Sequence, residues 1–319
     1  MKYRTIKLSG LLAAALALIQ VLPASAQYRE YYFYGKIIDT QKNPIEGVEI
    51  DVHDEAMNLT FSEKTDKNGT FKFPGLSHGS YEVTISKEGF ATQKGEWKYE
   101  APQDRMKKVE IPTLTLISQT QAQEVERLKE VGAGIQESAD KIRQGDLDGA
   151  VGQLKGILDK NPKDVNALYL IGMAYSKKQM FPEATGVFLQ VAEMAPKFAA
   201  AFHQLGVCYQ QQDQPDKALE AYKKALDLDP ANTDAFYNSG LILFKQSRVD
   251  EALERFERAV VLKPDDPAFL EMAGRCYINK ADYAKAIEYL EKAKIGYNDP
   301  ERTKFLDELI ATLKTQIKK

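Results

Sequence analysis

The chain has 319 residues, 44% of them hydrophobic and 28% charged, with a formal net charge of −3, so it is long enough for two or three folded domains and too apolar for a disordered chain. Its acidic balance argues against nucleic acid as a partner. Cys208 and Cys276, with His53, His78 and His203, are too few and too scattered for a disulfide framework or a Cys/His metal site.

Residues 1–26 read as a secretory signal peptide: Lys2, Arg4 and Lys7 precede an apolar run from Leu11 to Leu22, then Pro23 and the small residues Ala24-Ser25-Ala26. The run is shorter than the roughly 20 residues that span a bilayer. Cleavage is expected between Ala26 and Gln27, and with no cysteine at 27 the mature chain carries no lipoprotein anchor. Loss of Lys2, Arg4 and Lys7, with no acid, takes the net charge from −3 to −6. The expectation is a periplasmic or secreted protein without stable membrane insertion.

Residues 28–116 form short β-rich runs. Tyr31 to Thr40 is aromatic and alternating, and Gly47 to His53 turns Val48, Ile50 and Val52 to one face. Thr60 to Thr65 and Thr70 to Pro74 flank Asp66-Lys67-Asn68-Gly69, where Asn-Gly offers the positive φ angles of a tight hairpin. Tyr81 to Ser86, Ala91 to Tyr99 and Lys107 to Leu116 make up about seven strands, which a sandwich buries best. Asp66 and Asn68 are read as turn residues, since a full calcium loop needs more ligands than this segment has. Tyr31, Tyr32, Tyr34, Trp97 and Tyr99 are candidates for stacking on sugar rings or for packing across strands.

The order Gly35, Asp39, Pro44, Gly47-Val48, Thr65-Asp66, Gly69, Phe71, Gly75-Leu76, Gly79, Tyr81 and Gly89-Phe90 resembles the carboxypeptidase regulatory-like domain. That resemblance implies a transthyretin-like β-sandwich, a non-catalytic folding or interaction accessory. The polar stretch Ser118 to Gln123 opens the expected linker, residues 117–130, leading into charged helical sequence.

Beyond it, three interleaved series share a period of 34 residues: Gly172, Gly206, Gly240 and Gly274; Ala184, Ala218, Ala252 and Ala286; Pro162, Pro196, Pro230 and Pro264. Large residues keep the same period at Tyr175, Tyr209, Leu243 and Tyr277, and at Phe188, Tyr222, Phe256 and Leu290. This pattern is identified as that of the tetratricopeptide repeat, a helical hairpin whose copies stack into a solenoid. Glycine and alanine are expected where the helices of a hairpin meet, and the large residues between successive hairpins. Proline ends each second helix.

The superhelix is placed at 131–300, with a degenerate unit at 131–164, where Ser138 replaces the glycine, and repeats at 165–198, 199–232, 233–266 and 267–300. Residues 301–319 form a capping helix with Phe305, Leu309, Leu313 and Ile317 on one stripe and Leu306 and Ile310 beside them. The whole is a multidomain protein, an N-terminal all-β sandwich followed by an all-α solenoid.

The resemblance implies a concave groove lined by the second, fifth, ninth and twelfth residues of each first helix. Candidate partner-binding residues there are Tyr169, Met173, His203, Val207, Tyr237, Leu241, Phe244, Arg275 and Ile278. Tyr169, His203 and Tyr237 share the fifth position and are expected to stand clear of the glycine, alanine and large-residue slots. The basic set that clamps a C-terminal carboxylate in chaperone-binding members is missing, so a protein or peptide with apolar or aromatic side chains is the expected partner.

No GxSxG, HExxH or phosphate loop occurs, and no catalytic, cofactor or metal site is assigned. The expected function is an exported interaction scaffold; the alternative is a cell-envelope or carbohydrate-binding protein acting through the sandwich.

Overall fold

The computed structural model describes residues 32–74, 76, 79–99 and 108–317, which fall into two compact units divided between Lys129 and Glu130. The signal peptide and its cleavage site, Tyr31, Gly75 and His78 lie outside the described residues.

In the first unit eight strands are described: β1 (Tyr32–Ile38), β2 (Glu49–Asp54), β3 (Leu59–Lys64), β4 (Thr70–Pro74), β5 (Gly79–Ser86), β6 (Gln93–Tyr99), β7 (Lys108–Glu110) and β8 (Leu114–Thr115). They build two sheets, an antiparallel β3-β2-β5-β6 and a mixed one in which β4 and β7 flank β1 and β8 also pairs with β1. The two sheets give the sandwich expected from the alternation. Val52 opposes Val83 and Ile50 opposes Ile85, and all four are buried because the period of two sends them to one face. The run from Lys107 to Leu116 is two short strands, each parallel to β1, because Pro112 between them has no N–H for the ladder.

The Asp66–Gly69 segment is a tight turn but closes no hairpin: β3 pairs with β2 in one sheet and β4 with β1 in the other. Only Gly69 takes a positive φ there, +71°, and a Cβ on it would stand 2.3 Å from Ile37 O. The Asp66 carboxylate accepts hydrogen bonds from Asn68 N, Thr70 N and Thr70 Oγ1 at 2.8–2.9 Å, which holds its pKa below the usual carboxylate range. Buried Thr65 donates to Ile45 O and accepts from Val48 N. These turn residues therefore staple the fold. Trp97, offered above as a sugar-stacking ring, is 4% exposed and stacks on Phe71 at 6.1 Å, so it belongs to the core.

The helices are α1 (Gln119–Gln144), α2 (Leu147–Lys160), α3 (Val165–Lys177), α4 (Phe181–Met194), α5 (Ala199–Gln211), α6 (Pro215–Leu228), α7 (Thr233–Lys245), α8 (Val249–Leu262), α9 (Pro267–Asn279), α10 (Tyr283–Gly296) and α11 (Pro300–Ile317). From α2 onward each packs on the next in sequence, as a stack of antiparallel hairpins requires. Pro162, Pro196, Pro230 and Pro264 follow the ends of α2, α4, α6 and α8. Asp164, Asn232 and Asp266 cap α3, α7 and α9 with their side chains. The turn inside each hairpin needs one left-handed residue: Gly145 supplies it in the first, and Gln179, Asp213, Ser247 and Ala281 take φ of 54–62° in the others.

Two packing expectations are corrected. Phe188, Tyr222, Phe256 and Leu290 do not sit between successive hairpins; each lies over the glycine of its own hairpin. A Cβ added to Gly172, Gly206, Gly240 or Gly274 would come within 2.5–2.9 Å of them. The side chain missing from the first helix is the space the ring occupies. On α11 the buried stripe is Leu306, Ile310 and Leu313, whereas Phe305 is 43% and Ile317 52% exposed. Leu306 and Ile310 follow one another at four residues and Leu313 at three more, the spacing of a single helical face.

Candidate functional site: the first-helix face

Three helices carry most of the candidate residues. Neighbouring first helices touch across hairpins, α3 with α5 and α5 with α7, while no second-helix pair comes together to the same extent. The first helices therefore line the tighter, inner side of the curve.

On that side all nine candidates, Tyr169, Met173, His203, Val207, Tyr237, Leu241, Phe244, Arg275 and Ile278, are half-buried. A half-buried apolar side chain has one flank in the core and the other available to a partner. The fifth-position rings show how: Tyr169 packs on Phe188 at 5.7 Å, His203 on Tyr222 at 5.7 Å and Tyr237 on Phe256 at 5.9 Å. Tyr169 also meets Phe198, and Tyr237 meets Phe269. These rings are thus in contact with the large-residue slots, against the expectation that they stand clear. Glycine in the first helix leaves room for the large ring of the second, and the fifth-position ring, three residues before the glycine on the same face, packs against it.

Burial sets the electrostatics of this face. It is the largest cause raising the hydroxyl pKa of Tyr169 and of Tyr237, and it lowers that of the His203 imidazole, with Asp234 opposing. His203 Nε2 is buried and has no hydrogen-bond partner among the described residues.

The fourth repeat breaks the series of rings. Its fifth position is Glu271, 2% exposed, bonded by Arg275 Nε at 2.8 Å, Tyr297 Oη at 3.0 Å, Arg302 Nε at 2.9 Å and Arg302 Nη2. Burial works to raise the Glu271 pKa, but the bonds from Arg302, Arg275 and Tyr297 outweigh it and hold the carboxyl below its usual range. Burial and the bond to Glu271 together push Tyr297 up to about 12. Arg302 and the neighbouring Phe305 are absent from the candidates. The signal for them was the same period of 34: it places Arg302, Phe305 and Leu309 of α11 at the second, fifth and ninth positions of one more first helix.

Among the described residues no three of His, Cys, Asp and Glu gather to hold a metal ion. Cys208 and Cys276 are buried in separate apolar clusters, and burial pushes the Cys276 thiol up to about 12.

Residues 139–199, 173–233, 203–267 and 237–301 match the tetratricopeptide repeat, together more than half of the chain. The chain belongs to the tetratricopeptide repeat family. Residues 33–111 match the carboxypeptidase regulatory-like domain. Among solved structures the fold is similar to that of PilF of Pseudomonas aeruginosa, at 18% identity and a TM-score of 0.53, over 60% of this chain and 92% of that one. MamA aligns at 26% identity and a TM-score of 0.47, over 50% of this chain and 93% of that one. YrrB, described as a TPR protein with an unusual peptide-binding site, aligns at 24% identity and 0.48, over 59% and 97%. No curated protein matches the sequence.

Proposed function

We propose that this tetratricopeptide repeat protein is an exported, non-enzymatic scaffold that holds an extended polypeptide along the inner face of its first helices. The observation that carries the reading is the row of half-buried side chains at the fifth and ninth positions, Tyr169, Met173, His203, Val207, Tyr237 and Leu241. Each is anchored on one flank, so it presents apolar surface to a partner at little cost in side-chain entropy. A polypeptide with aromatic or apolar side chains fits such a row. Export rests on the leader at residues 1–26 and its small-residue site at Ala24 and Ala26.

Two experiments test this. N-terminal sequencing of exported protein should give Gln27 as the first residue; a product that keeps Leu11 to Leu22 would mean a membrane-held protein. Selection of random displayed peptides on the mature chain should enrich apolar and aromatic sequences, and an enriched peptide should slow amide exchange on α3, α5, α7 and α9. Protection confined to the second helices or to the sandwich would place binding elsewhere.

A further inference from the structure

At its fourth repeat the inner face gains charge. Arg275 is the ninth-position residue of α9, and Arg302 comes from α11; both bond Glu271, so two guanidiniums share one carboxylate. Asp266, the other acid near Tyr237, caps α9 through Ala268 N and Phe269 N. Glu271 is 2% exposed while the Arg275 and Arg302 side chains are 34% and 38% exposed, so the negative charge is inside and the positive excess faces out. Arg275 uses only Nε, and Arg302 uses Nε and Nη2. Among the described residues, Arg275 Nη1 and Nη2 donate to no group of the chain, whereas Arg302 also bonds Tyr297. Beside them stands the exposed ring of Phe305, its centroid 5.8 Å from Arg275 Cζ and 5.3 Å from Arg302 Cζ. Both guanidiniums are thereby fixed, one edge on a buried carboxylate and one face on a ring, and the partly exposed Arg275 keeps two donors for an incoming group.

We propose that Arg275 and Arg302, with Phe305, take the side-chain carboxylate of an acidic residue next to an aromatic or apolar one in the bound polypeptide. This rests on the groove reading above and adds a charge requirement to it. A side chain suits the site better than a chain terminus, because apolar ninth-position residues continue on both sides of Arg275, Leu241 on α7 and Leu309 on α11. A passing segment can therefore extend in either direction. Glu271 anchors both guanidiniums and offsets one of their two charges, which leaves one for an incoming carboxylate to balance.

The test is random-peptide selection on the mature full chain, using C-terminally amidated peptides so that only side chains supply carboxylates. The wild type is expected to enrich Asp or Glu beside an aromatic or apolar residue. Arg275→Gln leaves Arg302 paired with Glu271, so the chain should melt as the wild type does. It should lose the acidic preference while keeping the apolar one, and bind a wild-type-selected peptide about tenfold more weakly, the loss of one charge-assisted hydrogen bond. Arg275→Lys, which keeps the positive charge beside Glu271 but removes the spare planar donors, should weaken the acidic preference less than Arg275→Gln does and gives a second readout if Arg275→Gln melts early. Apolar enrichment without acids, or an acidic preference unchanged in both variants, overturns this proposal alone. If no peptide is enriched, the groove reading fails and this proposal with it.

Discussion

Gly240 on α7 faces the fully buried ring of Phe256 on α8, so closely that a Cβ on the glycine would stand 2.7 Å from Phe256 Cε1. The same relationship joins Gly172 to Phe188 and Gly206 to Tyr222. Gly240→Ala should therefore destabilise the chain by about 2 kcal/mol, the usual cost of overpacking. Gly186→Ala is the control: that glycine is exposed inside α4 with nothing within 4 Å of an added Cβ, and the change should stabilise by about 0.5 to 1 kcal/mol. Denaturant unfolding of both variants checks the pair, and equal effects would mean that the glycine period has no steric cause.

Ala281 takes φ +57° in the turn between α9 and α10, where an L-residue with a Cβ pays for a left-handed conformation. Ala281→Gly should stabilise by about 1 kcal/mol, as Gly145 does natively in the first hairpin, since the conformational relief outweighs the entropy glycine adds to the unfolded chain. A lower melting temperature for this variant would contradict the turn geometry.

Burial holds the His203 pKa below the ordinary value of about 6.5, because a charged imidazole would keep Nε2 inside without an acceptor. The unfolded chain then binds more protons than the folded one below that pH. The stability contributed by neutral His203 is present above about pH 6.5 and is lost as pH falls through the lower folded value. His203→Phe should lose less melting temperature than the wild type between pH 7.5 and 5, and parallel curves would show that His203 is not held neutral.

The repeat array was legible in the sequence because a period of 34 survives any local ambiguity: glycine, alanine and proline each mark one contact or one helix end. The sandwich was legible from alternation, as in Ile50 and Val52. Partner choice was not. Periodicity marks which residues recur but not which one touches which: nothing in the period tells that Phe188 covers Gly172, and nothing in Asn68-Gly69 tells that the strands on either side leave for different sheets. Trp97 looked available for a ligand because a sequence cannot say which face of an edge strand is covered. Arg302 does not stand out in the sequence because α11 combines the buried stripe of a cap with a second position that meets Glu271 of the inner face.

Cys208 and Cys276 are both fully buried. Neither thiol should react with a thiol reagent in the native chain, and both should react at once on unfolding. Rapid native labelling of either would contradict the packing of α5 or α9.

The central claim is that a polypeptide lies on the first-helix face, and the affinity of a display-selected peptide for two variants tests it most directly. Leu241→Gln changes a half-buried inner residue of α7, and Val261→Glu changes a residue of α8 that is 72% exposed. With both variants melting as folded chains, Leu241→Gln should weaken binding about tenfold, the loss of roughly 1.4 kcal/mol of contact energy, and Val261→Glu should leave it unchanged. Binding that survives Leu241→Gln and is lost on Val261→Glu would contradict the account.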